Sequence, residues 1–242
     1  MLIKVINPNT TSAMTELIGE CARLAAGPGV LVEAVNPTMG PASVESSYDE
    51  ALSVPGILAE VARGEAQGAA GYVIACFGDP GIDAARELAG GPVVGIAEAA
   101  MHAASYLGRG FGVVTTLERT RGRAWELVGR YGMQRACRSV RACEIPVLGL
   151  ESDPAAQARI LAECLEAVKR DGADVIVLGC AGMANLCRSL SGELGVPVID
   201  GVAVATRLVE SLASLGLGTS AAGDYAPPPP KPYTGALHAF GV

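Results

Sequence analysis

Two cysteines stand at corresponding places in two similar stretches of the sequence, and their type and setting suggest acid–base chemistry. Cys76 lies in AGYVIACFGDPG, residues 70–81, and Cys180 lies in ADVIVLGCAGM, residues 173–183. In each stretch an apolar, β-branched run precedes the cysteine, and a glycine follows within two residues. This pattern predicts a buried parallel strand that delivers a thiol to its carboxyl end, beside a glycine turn whose backbone N–H groups can approach a small ligand.

Two thiols that face each other across a cleft can invert a carbon stereocentre next to a carbonyl group. One proton must leave one face of the carbon and another must arrive on the opposite face, so two groups of similar type should flank it. A thiolate and a thiol suit this task because the unperturbed pKa of cysteine is about 8.5 and nearby N–H groups or cations can lower it. Cys76 and Cys180 are therefore the catalytic candidates, and they would exchange roles with the handedness of the substrate.

The elements that carry these cysteines occur in the same order in both halves of the chain: strand, helix, strand, helix, cysteine strand, helix, strand. The first set runs over residues 2–96 and the second over residues 111–199. This alternation predicts an α/β fold of two similar three-layer domains with mostly parallel four-stranded sheets, and an active site in the cleft between them. We expect the first domain to comprise residues 1–97 with 207–242, and the second to comprise residues 98–206.

The composition argues against several classes of protein. Half of the 242 residues are hydrophobic, 4% are aromatic and the formal net charge is −7. Because Lys and Arg do not cluster, we expect no nucleic-acid partner. No apolar run reaches the roughly 18–20 residues of a membrane span, and the first apolar segment is too short for a signal peptide. We therefore expect a cytoplasmic protein whose partner is a small molecule. The seven cysteines form no CxxC pair, so we also expect reduced thiols and no metal site.

Other residues with catalytic potential are few. None of the three lysines lies in a plausible cofactor-binding loop, which argues against a Schiff-base cofactor. Of the two histidines, His102 falls in an apolar helix and His238 in the proline-rich tail, so a cysteine–histidine hydrolase would lack a well-placed base. Asp79 could serve as a general acid, but an aspartate before proline is typical of a helix start. We predict that it caps the helix that follows Pro80.

Six separated segments carry a resemblance over nearly the whole chain: INPNTT, YVIACFGDPG, PVVGIAEAAMH, VVTTLERT, VIVLGCAGM and VPVIDGV. In this order they resemble the hydantoin and allantoin racemase family, within the larger aspartate/glutamate racemase-like group. The resemblance implies a cofactor-independent racemase of five-membered ureide rings, built from two similar α/β domains with the site between them. It also implies that both cysteines of the family are present, at Cys76 and Cys180.

The same resemblance suggests which groups bind the ring. It implies side chains that hydrogen-bond the carbonyl and N–H groups of the ring, and backbone N–H groups that hold a carbonyl oxygen as negative charge develops on it. The side chains are those of Asn9, Ser43, Thr115 and Thr116, and the backbone groups lie around Gly78, Ala181 and Gly182. Where family members often have a glycine before an aromatic residue, this chain has Ser46, which should alter the loop shape or the substituent preference.

Three alternatives stay open on the sequence alone. An amino-acid racemase, for aspartate or glutamate, would use the same two thiols but would need cationic groups in the cleft. The strand-end loops contain none, apart from Arg119 and Arg121 just past Thr116. A related isomerase or decarboxylase would work from the same architecture, and a decarboxylase would need only one cysteine. A non-catalytic small-molecule binding protein would have unreactive thiols. Apolar, alanine-rich helices also leave room for subunit contacts, and we expect a homo-oligomer.

Overall fold

Residues 1–150 and 152–241 are described by a computed structural model, which contains two four-stranded sheets. The strand order is β2-β1-β3-β4 in the first sheet and β6-β5-β7-β8 in the second, and every neighbouring pair is parallel. The strands are Leu2–Ile6 (β1), Leu31–Val35 (β2), Gly71–Ile74 (β3), Val93–Gly95 (β4), Phe111–Thr115 (β5), Cys137–Ala142 (β6), Val175–Gly179 (β7) and Val198–Ile199 (β8). We call the part built on β1–β4 (residues 1–95) the first lobe and the part built on β5–β8 (residues 111–200) the second lobe.

Helices connect the strands in both lobes. They are Ser12–Ala25 (α1), Ser47–Gln67 (α2), Ile82–Leu88 (α3), Ile96–Leu107 (α4), Arg121–Arg130 (α5), Ala156–Lys169 (α6), Cys187–Leu194 (α7) and Gly201–Ser214 (α8). The predicted fold class, two similar α/β units with parallel four-stranded sheets, is confirmed. Helix α4 runs from β4 into β5 and so joins the two lobes, while α8 packs against α4, α1 and β3. The domain boundaries given above stay a prediction.

Alternating side chains explain why each sheet is covered on both faces. Along β3, Val73 packs in one hydrophobic cluster with α1 and α8, whereas Tyr72 and Ile74 pack in another with α2 and α3. Along β7, Val177 and Ile176 divide in the same way between two clusters. Successive side chains of a strand point to opposite faces, so strands with near-continuous apolar runs are buried on both sides.

One strand differs from its expected position. The apolar character of residues 140–145 predicts a strand there, but β6 spans Cys137–Ala142. Its pairing with β5 shifts register between Phe111 and Gly112, and Phe111 pairs with Cys137 ahead of that irregularity. The apolar residues after Ala142 belong to the connection, where Ile145 packs beneath the second sheet with residues of α6. Hydrophobicity alone therefore placed the strand three residues too late.

After α8, residues 215–241 form an exposed C-terminal arm that contacts the first lobe. The arm contains two short 3₁₀ turns, Gly223–Tyr225 and Gly235–Phe240. The hydroxyl of Tyr225 donates a hydrogen bond to Asp83 and accepts one from Arg86, which attaches the arm to α3. Among the helices in residues 1–150 and 152–241, none combines the length and the apolar composition needed to cross a membrane.

Candidate active site

A cavity of about 300 Å³ lies between the lobes, beyond the carboxyl ends of the strands. Cys76 enters it from the loop after β3 and Cys180 from the residue after β7, and both side chains are partly exposed. Burial raises the pKa of Cys76, and the negative charge of a Cys180 thiolate would raise it further. Of the residues that the sequence suggested for this site, the structure brings seven to the cavity wall: Asn9, Cys76, Gly78, Thr115, Thr116, Cys180 and Ala181.

The other two suggested residues lie just behind the wall. Ser43 is half-buried and its hydroxyl donates a hydrogen bond of 2.9 Å to a carboxylate oxygen of Glu45, which does line the cavity. Gly182 follows Ala181 in a 3₁₀ turn, and its backbone N–H faces the sulfur of Cys180. The roles in substrate binding suggested for all of these residues stay predictions.

Each sulfur is approached by the backbone N–H of the glycine two residues later. Burial raises the pKa of the Cys76 thiol to about 12, and the N–H of Gly78 opposes that rise. Burial likewise raises the pKa of Cys180 to about 12, opposed by the N–H of Gly182. A Cβ atom added at Gly182 would lie 3.7 Å from the Cys180 sulfur, an ordinary van der Waals distance, so the backbone at Gly182 passes close to the thiol. The repeated Cys-x-Gly pattern thus builds two similar thiolate-stabilising turns.

Asn9 is held by the turn that precedes α1. Its side-chain oxygen accepts hydrogen bonds from the backbone N–H of Thr11 and from the side chain of Asn7, each at 2.9 Å. Its amide nitrogen contacts the sulfur of Met14 at 3.2 Å, and a thioether is a weak acceptor. The amide of Asn9 therefore retains donor capacity for a carbonyl oxygen in the cavity.

Thr115 ends β5 and Thr116 follows it, and each residue is only 3% exposed. The hydroxyl of Thr115 is paired with that of Thr120 at 2.9 Å, and it lies 3.5 Å from the backbone oxygen of Gly179. Thr115 and Gly179 are also register partners in the β5–β7 ladder. Since Gly179 directly precedes Cys180, the pairing of β5 with β7 fixes Thr115 beside the second thiol.

The sequence does not predict most of the charged wall of the cavity. The charged lining residues are Glu45, Glu50, Arg119, Arg123 and Glu126. Of these, the sequence singles out only Arg119, as one of two arginines just past Thr116. A signal was available, because Arg119, Arg123 and Glu126 are spaced four and three residues apart, as on one face of a helix that starts after a strand end. The two glutamates at positions 45 and 50 carry no such signal.

Arg123 of the second lobe connects three groups at the Cys76 side of the cavity. Its guanidinium lies 3.3 Å from the carboxylate of Glu50 and 3.2 Å from that of Glu126, and it donates a 2.8 Å hydrogen bond to the backbone oxygen of Gly78. Burial raises the pKa of Glu50, and the charge of Arg123 opposes this. The turn that presents Cys76 is therefore held by a side chain from the opposite lobe.

At the Cys180 side of the cavity, Glu45 of the first lobe connects its loop to the second lobe. Its carboxylate accepts hydrogen bonds from the backbone N–H of Val147 in the second lobe, at 2.6 Å, and from Ser43 in its own loop. The loop between β2 and α2 is thus fixed across the cavity to the other lobe. Behind the main effect of burial, the charge of Glu45 also contributes to the raised pKa of Cys180.

The predicted role of Asp79 as the cap of the helix after Pro80 is wrong. Gly81 precedes α3, and no side chain caps that helix. The backbone of Asp79 has φ 43°, in the left-handed region, and its buried carboxylate accepts hydrogen bonds from the backbone N–H groups of Ala97 and Glu98. Asp79 therefore caps α4, the helix that joins the lobes, because the left-handed turn directs its side chain away from α3.

Asp79 should make the free energy of unfolding depend on pH. Burial raises the pKa of its carboxyl from 3.8 to about 6, although the Tyr131 hydroxyl and two backbone N–H groups oppose the rise. The stability from this group is then fully present below pH 3.8 and is lost as the pH rises through 6, by at most ~3 kcal/mol. Denaturant titrations between pH 4 and 7 should show this slope in the wild type and a smaller one in Asp79→Asn. Equal slopes would contradict the prediction.

Within residues 1–150 and 152–241, no group of three or more His, Cys, Asp or Glu side chains is arranged to hold a metal ion. The polar groups of the cavity are instead suited to a small organic ligand: amide and hydroxyl donors, backbone N–H groups and charged side chains from both lobes. The fold and the cavity define a class of two-lobed parallel α/β proteins that present one thiol from each lobe to a common cleft.

The family follows from comparison with known proteins. The family model described as Asp/Glu/Hydantoin racemase matches residues 3–209. A hydantoin racemase of Rhizobium meliloti is 51% identical over 229 residues, which cover 94% of this chain and 95% of that protein. A hydantoin racemase of Pseudomonas sp. (strain NS671) is 49% identical, with 100% and 97% covered. This chain therefore belongs to the Asp/Glu/hydantoin racemase family, and the resemblance described from its segments is confirmed.

A solved structure agrees with this assignment. The allantoin racemase from Klebsiella pneumoniae superposes with a TM-score of 0.97 at 49% sequence identity, covering 100% of this chain and 99% of the other. Relatives named as racemases catalyse isomerisation, so the expectation of an enzyme of the isomerase class is confirmed at that level.

Proposed function

We propose that this protein racemises five-membered ureide rings, allantoin or 5-substituted hydantoins, by proton transfer between Cys76 and Cys180 without a cofactor. The observation that carries the proposal is the meeting of two partly exposed thiols, one from each lobe, at a single cavity. The names of the matched relatives support the substrate class, since two act on hydantoins and one on allantoin.

The proton balance follows from the two thiols. The thiolate of one cysteine removes the proton from the ring carbon beside a carbonyl group, and the C–H electron pair moves into that carbonyl to give an enolate. The thiol of the other cysteine then returns a proton to the opposite face as the carbonyl re-forms. After one turnover the charge has moved from one sulfur to the other, and the inverted ring can leave. The N–H groups of Gly78 and Gly182 stabilise whichever sulfur is ionised.

The charges in the cavity wall support a neutral substrate. Three glutamates and two arginines line it, and Arg123 is paired with Glu50 and Glu126. An acidic amino acid would bring two further carboxylates into a site whose net charge is already negative, which like-charge repulsion disfavours. An uncharged ring needs hydrogen-bond partners only, and Asn9 and Thr116 supply them from opposite lobes.

Incubating one enantiomer in heavy water tests the proposal directly. Single enantiomers of allantoin and of 5-benzylhydantoin should each lose optical rotation with the wild-type protein, and deuterium should enter at the stereocentre of the inverted product. L-Aspartate should remain unchanged under the same conditions, and a reaction without protein corrects for spontaneous racemisation. Retention of rotation by both rings, or racemisation of aspartate alone, would refute the proposed function.

A further inference from the structure

Asp79 adopts a conformation that an aspartate rarely takes, and the surroundings are built to hold it there. Its φ of 43° lies in the left-handed region, and its side chain is only 2% exposed. A Cβ atom added at Gly95 would overlap its carboxylate, so a glycine is needed at the end of β4 to make room. Backbone strain of this kind persists only where neighbouring groups fix it, and it is found most often at functional sites.

The carboxylate of Asp79 joins three parts of the fold. It accepts hydrogen bonds from the backbone N–H groups of Ala97, at 3.1 Å, and Glu98, at 3.0 Å, in the first turn of α4. It also accepts a 2.7 Å hydrogen bond from the hydroxyl of Tyr131, which follows α5 in the second lobe. Since both Asp79 and its partners are wholly or partly buried, these hydrogen bonds are protected from competing water.

Asp79 is also part of the turn that carries Cys76. Its backbone N–H donates a 3.0 Å hydrogen bond to the backbone oxygen of Cys76, which closes a turn over residues 76–79. Gly78, whose N–H faces the Cys76 sulfur, lies inside this turn. The path from the second lobe to the first thiol is therefore short: Tyr131 holds Asp79, and Asp79 holds the turn of Cys76.

We propose that Asp79, held by Tyr131 of the second lobe, is a positioning residue that sets the place of Cys76 relative to Cys180. The inference rests on the proposed two-thiol function, in which both sulfurs must reach one ring carbon. Neither Asp79 nor Tyr131 is among the residues that line the cavity within the described parts of the chain. They act through Cys76, and a shift of about 1 Å in a reacting group can cost about a hundredfold in rate.

The test compares Tyr131→Phe and Asp79→Asn with a matched control, Asp83→Asn. Tyr131→Phe removes one hydroxyl and keeps the ring, so it remains informative even where Asp79→Asn folds poorly. Asp83 on α3 pairs with Arg130, so its replacement also breaks a contact between the lobes, but one that does not involve the turn of Cys76. Each variant is assayed for kcat and KM. It is also treated with iodoacetamide, and alkylation of Cys76 and Cys180 is quantified separately by mass spectrometry.

Tyr131→Phe should lower kcat about tenfold and leave KM within about twofold, because binding groups stay in place while one thiol is displaced. The alkylation rate of Cys76 should change by about threefold relative to Cys180 in the same molecule, and Asp83→Asn should match the wild type in both measurements. Equal behaviour of Tyr131→Phe and Asp83→Asn, or an unchanged ratio of Cys76 to Cys180 alkylation, would overturn the inference. A wild-type protein without racemase activity would refute the proposed function instead, and the alkylation ratio would still test the positioning.

Discussion

Replacing either Cys76 or Cys180 by serine should lower racemisation by about 10²–10⁴-fold, since under the proposed mechanism each variant loses one of the two groups that move the proton. Serine keeps the size of the side chain, but its hydroxyl ionises far less readily than a thiol at neutral pH. Both cysteines lie at the cavity wall, where substitution by a similar small residue removes little packing. The measurement is the initial rate of loss of optical rotation, taken from each enantiomer separately.

The two serine variants should also differ from each other. A protein that retains one thiol can still remove and return a proton on one face, so deuterium should enter one enantiomer without inversion. Cys76→Ser and Cys180→Ser should therefore exchange opposite enantiomers. Cys21→Ser is the matched control, because Cys21 is partly exposed but lies on α1, outside the cavity wall, and its variant should racemise normally. Full racemisation by Cys76→Ser, or the same exchanging enantiomer for both variants, would be incompatible with two-sided proton transfer.

The sequence was sufficient to predict the fold class because the pattern is local. Near-continuous apolar runs such as Gly71–Ile74 and Val175–Gly179 occur at matching places in two series of alternating helices and strands, and buried parallel strands require such runs. The carboxyl ends of parallel strands meet at one edge, so the residues that follow those strands were expected to lie together. Seven of the nine suggested residues line the same cavity for this reason.

The charged groups of the site could not be predicted in the same way. Glu45 and Glu50 contact the cavity only because the loop before α2 and the first turn of α2 approach Val147 and Arg123 of the opposite lobe. That approach depends on how the lobes pack, which no local pattern encodes. Asp79 shows the same limit: its neighbour in sequence is α3, but the left-handed turn directs its carboxylate to α4 and Tyr131. The cytoplasmic location and the homo-oligomeric state stay predictions.

Replacing Arg123 by glutamine should lower kcat/KM by about a hundredfold, the second largest effect that we expect. Burial already raises the pKa of Cys76, and the carboxylate of Glu50 adds to that rise. Without the guanidinium, the Glu50 side chain, 21% exposed, loses its cation, so its charge disfavours the Cys76 thiolate more strongly. The backbone oxygen of Gly78 also loses its 2.8 Å donor, which loosens the turn that directs an N–H to the sulfur.

Arg121→Gln on the same helix is the matched control, because Arg121 pairs with Glu118 and lies outside the cavity wall. Its kcat/KM should stay within about twofold of the wild type, as is usual for a surface ion pair. The double variant Arg123→Gln with Glu50→Gln should recover about tenfold of the lost activity, because it removes the unpaired charge beside Cys76 and leaves only the loosened turn. If Arg123→Gln matched Arg121→Gln, or if the double variant recovered nothing, the charge pair would have no part in the ionisation of Cys76. The rates of the three variants, measured from both enantiomers, therefore separate the electrostatic role of Arg123 from its hydrogen bond to Gly78.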